Sequence, residues 1–293
     1  MYVHPLCEQA KDLNKSASIL IGTSGWHYAD WEDSFYPAEV KGYEELRYYS
    51  RRFATVENNS SFYRISKEST YKTWNRVTDP GFVFSLKLNQ FMTHVHRLKL
   101  NDETIAKTKY VLESVQVLGN KLGALVIQLP AAFKCDPNAL EAFLAFLSRE
   151  IEAVQYKPDL AIEFRSPDWF NDTVFVLLRK YNVALVAANS SRYPGIKELT
   201  ADIAYIRLHG PRELFASSYS TEELAGWARY IRSLPETVRK VYVYFNNTAY
   251  RYGLENAIEL SSMLDLAMDN SDGSEIRKRP GSRKLKLSRA LKK

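Results

Sequence analysis

Short apolar runs alternate along the chain with longer segments that have the period of an amphipathic helix. This alternation is typical of consecutive β-α units, in which each buried strand is followed by a helix. The apolar runs predict eight strands, at residues 19–22, 55–59, 82–87, 124–129, 160–165, 183–187, 204–209 and 241–246.

Two of the helical segments carry recognisable start signals. Asp136 followed by Pro137 is an N-cap residue with a proline in the first turn. Ser220 with Glu223 has the spacing of a capping box, and Pro235 ends the helix that follows. Both helices are therefore defined by more than their hydrophobic period.

Eight β-α units in about 250 residues predict a single closed (β/α)8 TIM barrel of the α/β class. An open doubly wound sheet is the second possibility, but no Gly-x-Gly-x-x-Gly turn follows any predicted strand. We therefore divide the chain into an N-terminal extension at residues 1–18, a barrel at 19–268 and a basic tail at 269–293.

Composition fits a folded globular protein, with 45% hydrophobic and 25% charged residues. The net charge of +6 comes from the tail, because residues 274–293 contain nine Lys or Arg against one Glu. The rest of the chain carries −2. We expect the tail to be disordered. It could bind nucleic acid or an anionic surface electrostatically, or it could be solvated without a partner.

No segment of the sequence predicts membrane insertion, because the longest apolar run, at residues 122–129, is far shorter than the roughly 20 residues of a membrane-spanning helix. The first 18 residues contain charged positions and lack the apolar stretch of a secretory signal. The two cysteines, Cys7 and Cys135, offer no disulfide framework. We expect a cytoplasmic protein.

Polar residues cluster where the predicted strands end, which in a barrel is the face that carries active sites. Alternate residues of a strand point to opposite sides, and the partners of these polar residues are apolar, as at Val56, Phe164, Leu208 and Phe245. We therefore expect the polar set to face the barrel mouth. Its candidate ligand-binding residues are Thr23, Ser24, Trp26, Asn59, Lys87, Gln128, Arg165, Arg207, Asn246 and Asn247.

The charged members of this set sum to +1, with Glu57 and Glu163 against Lys87, Arg165 and Arg207. A slightly positive mouth favours a small anionic ligand. The alternative is a buried ion network that only neutralises itself. Such a network is an expensive way to fill a core, because desolvating each charge costs several kcal/mol, and we favour a ligand site.

Candidate catalytic residues are Glu57, Glu163, His94 and His209, which are suited to general acid and base chemistry. With the two histidines the carboxylates could also hold a divalent metal, although no His-Glu-x-x-His spacing is present. Lys87 could form a Schiff base if burial lowered its pKa, but phosphate or carboxylate binding is favoured. No nucleotide-cofactor motif occurs, and the cofactor stays unassigned.

Three tryptophans, Trp26, Trp31 and Trp169, flank the strand-end motifs. They could stack on a sugar or a base, or they could pack beneath the loops.

The strand-end motifs together resemble the YecE-like family, catalogued as domain of unknown function 72. The strings that carry the resemblance occur in the family's order: Gly22-Thr23-Ser24-Gly25-Trp26, Glu57-Asn58-Asn59-Ser60-Ser61-Phe62-Tyr63-Arg64, Thr93-His94, Gln128-Leu129-Pro130, Glu163-Phe164-Arg165, Arg207-Leu208-His209-Gly210 and Tyr244-Phe245-Asn246-Asn247. The resemblance implies a TIM barrel with a shared polar site at the strand ends, and no assigned reaction. The family's barrel is similar to those of apurinic-site endonucleases and xylose isomerases, which suggests phosphodiester or sugar chemistry only by analogy.

The sequence departs from the family pattern at two positions. Asn189 stands where an Asp is usual after the sixth strand, and Thr248 stands where an Asp usually follows the Asn-Asn pair. Both changes remove a carboxylate, which disfavours a carboxylate-rich centre with several metals.

Two functional hypotheses follow. In the first, the protein is an enzyme, a hydrolase, lyase or isomerase, that acts on a small phosphorylated or carboxylated, sugar-like substrate. In the second, the mouth accepts a backbone phosphate or an extruded nucleotide, and the tail supplies affinity for nucleic acid. The charge of −2 outside the tail favours the first hypothesis.

Overall fold

A computed structural model of the protein describes residues 17–266. Its eight strands are all parallel and coincide with the eight predicted ones to within two residues at each end. The strands are β1 (Ser18–Thr23), β2 (Thr55–Asn58), β3 (Val83–Lys87), β4 (Leu122–Gln128), β5 (Asp159–Glu163), β6 (Val183–Asn189), β7 (Ile203–Leu208) and β8 (Lys240–Phe245).

Helices follow seven of the eight strands, two of them after β2, whereas no helix lies between β6 and β7. They are α1 (Tyr43–Ser50), α2 (Ser60–Tyr63), α3 (Glu68–Val77), α4 (Asp102–Val115), α5 (Pro137–Glu152), α6 (Asp172–Lys180), α7 (Thr221–Arg232) and α8 (Tyr252–Met263). Both predicted start signals are confirmed. Asp136 accepts a hydrogen bond from the Ala139 backbone at the start of α5, and Ser220 forms a capping box with Glu223 at the start of α7.

The strands form one eight-stranded sheet in the order β1-β8-β7-β6-β5-β4-β3-β2, which curls into a nearly closed barrel. This confirms the (β/α)8 prediction over the open doubly wound sheet. The two ends of the sheet meet where Ser24 pairs with Glu57 and the Gly25 amide donates to the Glu57 carbonyl at 2.8 Å.

Residue parity along the strands also follows the prediction. Val56, Phe164, Leu208 and Phe245 belong to the core layer that packs beneath the helices. The residues of opposite parity fill the barrel interior in a second apolar cluster. The polar strand-end residues lie on this interior side, above the cluster.

Three tyrosines fill the middle of the barrel. The rings of Tyr205 and Tyr244 lie 5.3 Å apart, and those of Tyr205 and Tyr242 lie 5.5 Å apart, opposite small residues such as Ala124 and Ala161. All three tyrosine side chains are buried. They form a solid layer beneath the strand ends, in keeping with the packed interior of such barrels.

The predictions for the extension at residues 1–18 and the disordered tail at 269–293 fall almost wholly outside the described residues. Strand β1 begins at Ser18, one residue inside the predicted extension. No helix of residues 17–266 has the length and apolar character needed to cross a membrane.

The seam between β1 and β2 depends on Gly22, because a Cβ at this position would overlap the Thr55 carbonyl oxygen. We expect Gly22→Ala to separate the two strands and to lower the free energy of unfolding by about 3 kcal/mol or more. Urea unfolding measures this, with Gly81→Ala as the control, since a Cβ at Gly81 meets no atom within 4 Å. Equal stabilities of the two variants would contradict the close approach at the seam.

Candidate functional site

A buried cluster of opposite charges lies at the carboxyl ends of three strands. The guanidinium of Arg207, at the end of β7, donates to Glu57 Oε1 at 2.7 Å through one terminal nitrogen and to Glu163 Oε2 through the other. All three side chains are at most 1% exposed. Residues separated by 150 positions in sequence therefore share one ion cluster.

Further hydrogen bonds fix both carboxylates. Glu57 also accepts from the Ser24 hydroxyl and from the Tyr205 hydroxyl, each at 2.7 Å. Glu163 also accepts from Arg165 Nε at 2.9 Å. The tyrosine layer is thus bonded directly to the charged layer above it.

The arginine determines the charge of these carboxylates. Burial raises the pKa of Glu57, but the Arg207 charge and its hydrogen bond outweigh burial, so the pKa lies below its ordinary value. The same balance of burial against Arg207, with help from His209, holds the pKa of Glu163 well below its ordinary value. Both carboxyl groups are therefore ionised at neutral pH. In this form neither can donate a proton. Two carboxylates and two guanidinium groups sum to zero charge.

His209 lies at the edge of the cluster. The Asn246 amide nitrogen is 2.9 Å from Nδ1, and since this nitrogen is a donor, Nδ1 is the acceptor. The proton of the neutral ring is then on Nε2, which faces Glu163 Oε2 at 3.5 Å. Burial lowers the pKa of His209 despite the opposing effect of Glu163, so the ring is neutral at pH 7.

A second polar group adjoins the ion cluster at the end of β3. Lys87 Nζ donates to Gln128 Oε1 at 2.7 Å. The Gln128 amide nitrogen donates to the Leu129 carbonyl at 2.9 Å and lies 3.3 Å from His94 Nε2. His94 Nδ1 lies 2.9 Å from the Thr93 hydroxyl. One amide therefore holds both the lysine and the histidine in place.

Lys87 is a buried cation without an anionic partner. Its side chain is 8% exposed, its ammonium lies 3.7 Å from the centre of the Phe62 ring, and no carboxylate within residues 17–266 is close enough to form an ion pair with it. Burial, reinforced by the charge of Arg207, lowers the pKa of Lys87 to about 7. Burial and the neighbouring charge of Lys87 lower the pKa of His94 to about 4.

Arg165 is the most accessible charge of the mouth, with 17% of its side chain exposed. Its guanidinium carbon lies 4.3 Å from the centre of the Tyr193 ring, and only Nε is bonded to Glu163. The two terminal nitrogens have no acceptor among the described residues. Arg165 thus keeps two terminal nitrogens whose hydrogens no described residue accepts.

The structure places three predicted ligand-binding residues away from this group. The Thr23 hydroxyl is fully buried and bonded to Tyr49 and the Gly25 carbonyl. Asn247 is fully buried and donates to Ser217 and Asn256. Trp26 packs edge-on against Trp74, with ring centres 5.3 Å apart. Thr23 and Asn247 have the parity opposite to that of Ser24 and Asn246, and therefore face away from the mouth.

The remaining predicted aromatic residues pack beneath the loops, since Trp31 and Trp169 are fully buried. Asn59 is half-buried, and its Oδ1 is a buried acceptor without a donor in the part of the chain that the structure describes. Tyr205, Phe62 and Tyr193 were not among the predicted site residues. Tyr205 has the same parity in β7 as Arg207, a signal that was available. Phe62 lies in the short helix α2 and Tyr193 lies between β6 and β7, and the sequence does not define where either ring lies relative to the strand ends.

The carboxylates of the mouth are fully used by protein donors. Residues 17–266 contain no group of three or more His, Cys, Asp or Glu side chains arranged to hold a metal ion. Asn189, one of the two departures from the family pattern, accepts a hydrogen bond from the Tyr219 hydroxyl at 2.8 Å, outside the ion cluster.

A cleft of about 350 Å³ lies at the opposite, amino-terminal end of the barrel, against Asp159, Asp202, Arg239 and Lys240. Arg239 is paired with both aspartates, and Lys240 is paired with Asp159. These charges neutralise one another, and in such barrels this face contributes stability. The carboxyl-terminal mouth is the better candidate for a functional site.

Replacing Arg207 with Met leaves two buried carboxylates without their common partner. We expect a loss of about 3–5 kcal/mol in the free energy of unfolding at pH 7. The loss should shrink as the pH falls towards 5, because the pKa values of Glu57 and Glu163 are no longer held low and the carboxylates become protonated. Urea unfolding at several pH values measures both effects. The control is Arg47→Met, which removes an exposed ion pair with Glu44 and should cost less than about 1 kcal/mol.

Lys87 makes a separate contribution to the pH dependence of stability. Its pKa is about 7 in the folded protein and about 10.4 in an unfolded chain, so between these values only the unfolded chain holds the proton. The free energy of unfolding of the wild type therefore gains up to about 1.4 kcal/mol per pH unit from this group between pH 7 and 10. In Lys87→Met this gain should be absent, while exposed Lys72→Met should match the wild type. A difference between Lys87→Met and wild type that does not vary with pH would contradict the lowered pKa.

Known proteins resemble this chain in both sequence and fold. The UPF0759 protein YecE of Escherichia coli, in strains K12 and O157:H7, is 26% identical over 152 residues, which are 52% of this chain and 50% of the relative. The chain thus spans about half the length of the curated relatives it matches.

Among solved structures, a DUF72 family protein from Thermotoga maritima MSB8 has a TM-score of 0.73 and 27% identity, covering 85% of this chain and 99% of that one. A DUF72 family protein from Enterococcus faecalis V583 has a TM-score of 0.70 at 18% identity, covering 86% of this chain and 97% of that one, and supports the fold alone. The model of the family described as "Protein of unknown function DUF72" matches residues 20–280. The chain therefore belongs to the DUF72 family of TIM-barrel proteins.

Proposed function

We propose that the barrel mouth binds a small anionic ligand, phosphorylated or carboxylated, through Lys87 and Arg165. The observation that carries this proposal is the buried ammonium of Lys87, which has a neutral amide as its hydrogen-bond acceptor and no carboxylate in ion-pair contact. Nearby carboxylates are present, but Arg207 and Arg165 engage them.

Energetics favour a ligand as the missing partner. An isolated buried charge is strongly disfavoured, and a protein normally pairs it or shifts its pKa. At Lys87 the pKa has shifted to about 7, so near neutral pH the group is poised between its charged and neutral forms. A bound anion would stabilise the charged form, and Arg165 would add two donors to the same anion.

The ion cluster has a positioning role in this proposal. Glu57 and Glu163 hold Arg207 and Arg165 in fixed orientations and, being ionised, are not suited to donate protons at neutral pH. Neutral His209 and the titrating Lys87 are better suited to transfer protons in an enzyme of this kind. This changes the roles that the sequence suggested for the two carboxylates.

Two amides and two aromatic rings at the mouth would suit recognition of a sugar-like ligand. Asn246 and Asn59 are half-buried amides at strand ends, and Asn59 has a free acceptor. Tyr193 lies beside Arg165, and the 38% exposed ring of Phe215 lies 5.8 Å from His209. Amides for hydroxyl groups and aromatic rings for the apolar face of a sugar form a suitable combination.

The nucleic-acid hypothesis depends on the basic tail, which lies outside the described residues. No observation within residues 17–266 favours it, and it enters the test below as an outcome.

Ligand binding is tested by thermal shift with inorganic phosphate, sugar phosphates, nucleotides, short oligonucleotides and divalent metals. An anion at 100 times its dissociation constant should add about 2.7 kcal/mol of stability. Its affinity should fall as the pH rises above about 7, because the proton of Lys87 is lost in the free protein. The pH slope should not exceed tenfold per unit for one proton.

Three variants test whether the anion binds at the barrel mouth. Lys87→Met and Arg165→Met should each weaken anion binding at least tenfold, since a charge-assisted hydrogen bond contributes about 1.5–3 kcal/mol. Exposed Lys72→Met should bind as the wild type does. Equal shifts in all four proteins would rule out the mouth as the binding site. A shift with oligonucleotides alone would favour the nucleic-acid hypothesis.

A further inference from the structure

We propose that Lys87 is a catalytic nucleophile that forms a Schiff base with the carbonyl carbon of a small aldehyde or ketone carrying a phosphate or carboxylate group. This inference rests on the proposed anion site and names its substrate class. Lys87 would then bond covalently to the ligand, while Arg165 holds the anionic group.

The geometry around Lys87 suits a nucleophilic amine. The residue ends β3 on the interior side of the barrel, next to the mouth. Its nitrogen makes one hydrogen bond, to Gln128 Oε1 at 2.7 Å, and lies 3.7 Å from the centre of the Phe62 ring. An ion-paired lysine would be held charged by its carboxylate, whereas this nitrogen contacts a neutral amide and an aromatic face and forms no ion pair with a described residue.

The surrounding charges favour the free amine. Amines become nucleophilic when they are desolvated or lie beside another cation, because both conditions disfavour the ammonium form. Both conditions hold at Lys87, since the side chain is 8% exposed and the charges of Arg207 and Arg165 act on it. Glu163 and Glu57 act in the opposite direction, but burial and the two arginines outweigh them. The pKa of Lys87, lowered to about 7 by burial and by Arg207, agrees with this geometry.

The proposed step is balanced without any further reactant. The nitrogen lone pair of neutral Lys87 attacks the carbonyl carbon, a C–N bond forms, and the π electrons of the C=O bond move to oxygen. The oxygen takes up a proton while the nitrogen releases one, which gives a carbinolamine. Protonation of the hydroxyl and loss of water then leave a protonated imine.

The groups next to the amine add no charge of their own. His94 is neutral because its pKa is lowered to about 4, and its Nε2 accepts from the Gln128 amide nitrogen at 3.3 Å. The Phe62 ring contacts both groups, with its centre 4.8 Å from that of His94 and 3.7 Å from Lys87 Nζ.

Borohydride trapping tests the inference directly on the full chain. We expect that incubation with glyceraldehyde 3-phosphate, dihydroxyacetone phosphate or pyruvate, followed by sodium borohydride, adds the mass of one reduced adduct per chain. Peptide mapping should place this adduct on Lys87. With uncharged glycolaldehyde, the rate of trapping should rise up to about pH 7 and then level off, whereas an ordinary exposed lysine reacts faster up to about pH 10.

Four variants test where the adduct forms and what holds the probe. Lys87→Met and Lys87→Arg should lose the single adduct, and exposed Lys72→Met should keep it. Arg165→Met should reduce trapping of the phosphorylated and carboxylated probes at least tenfold more than it reduces trapping of uncharged glycolaldehyde, because both kinds of probe report the change at Lys87 but only the charged ones lose the contact with Arg165.

The outcomes separate this inference from the proposed function. If inorganic phosphate still stabilises the wild type through Lys87 and Arg165 while no adduct forms on Lys87, the anion site stands and the Schiff base is wrong. Adducts spread over exposed lysines, or a trapping rate at Lys87 that rises through pH 9, would also overturn it. If the wild type neither binds phosphate nor forms a trapped adduct, both proposals are wrong.

Discussion

The ion pairs of one buried arginine determine the electrostatics of the barrel mouth. Arg207 engages Glu57 and Glu163 at once, and the two carboxylates are completed by Ser24, Tyr205 and Arg165. In this arrangement both negative charges at the strand ends are paired with arginines. Lys87 is consequently left in a buried position with no anion of its own.

A buried ion network does not exclude the proposed ligand site in this protein. The cluster of Glu57, Glu163, Arg165 and Arg207 neutralises itself, as a structural network would. The unpaired charge lies beside it, on Lys87. The rigid layer of tyrosines beneath, bonded to Glu57 through Tyr205, keeps the cluster in place and closes the barrel from below. Such support by neighbouring hydrogen bonds is what holds a reactive group in a defined geometry.

Much of the fold and part of the site follow from the sequence. Strand alternation placed Glu57, Glu163, Arg207 and His209 on one interior face, because a residue's parity within a parallel strand decides which side it faces. By the same rule Thr23, which directly precedes Ser24, faces the side opposite to the other candidate residues. The sequence does not show which cation pairs with the carboxylates of Glu57 and Glu163. Whether Arg207 or Lys87 pairs with the carboxylates depends on distances of a few ångströms between strands far apart in the chain.

The most direct test of this account is an NMR titration of Lys87 in protein labelled with ¹³C and ¹⁵N lysine, assigned by comparison with Lys87→Arg. The account predicts that the Lys87 side chain titrates near pH 7, and that inorganic phosphate moves the midpoint upward because a bound anion stabilises the ammonium form. A titration midpoint near the ordinary lysine value of 10.5, or one that phosphate does not move, would contradict the proposal that Lys87 is a desolvated amine that binds an anion.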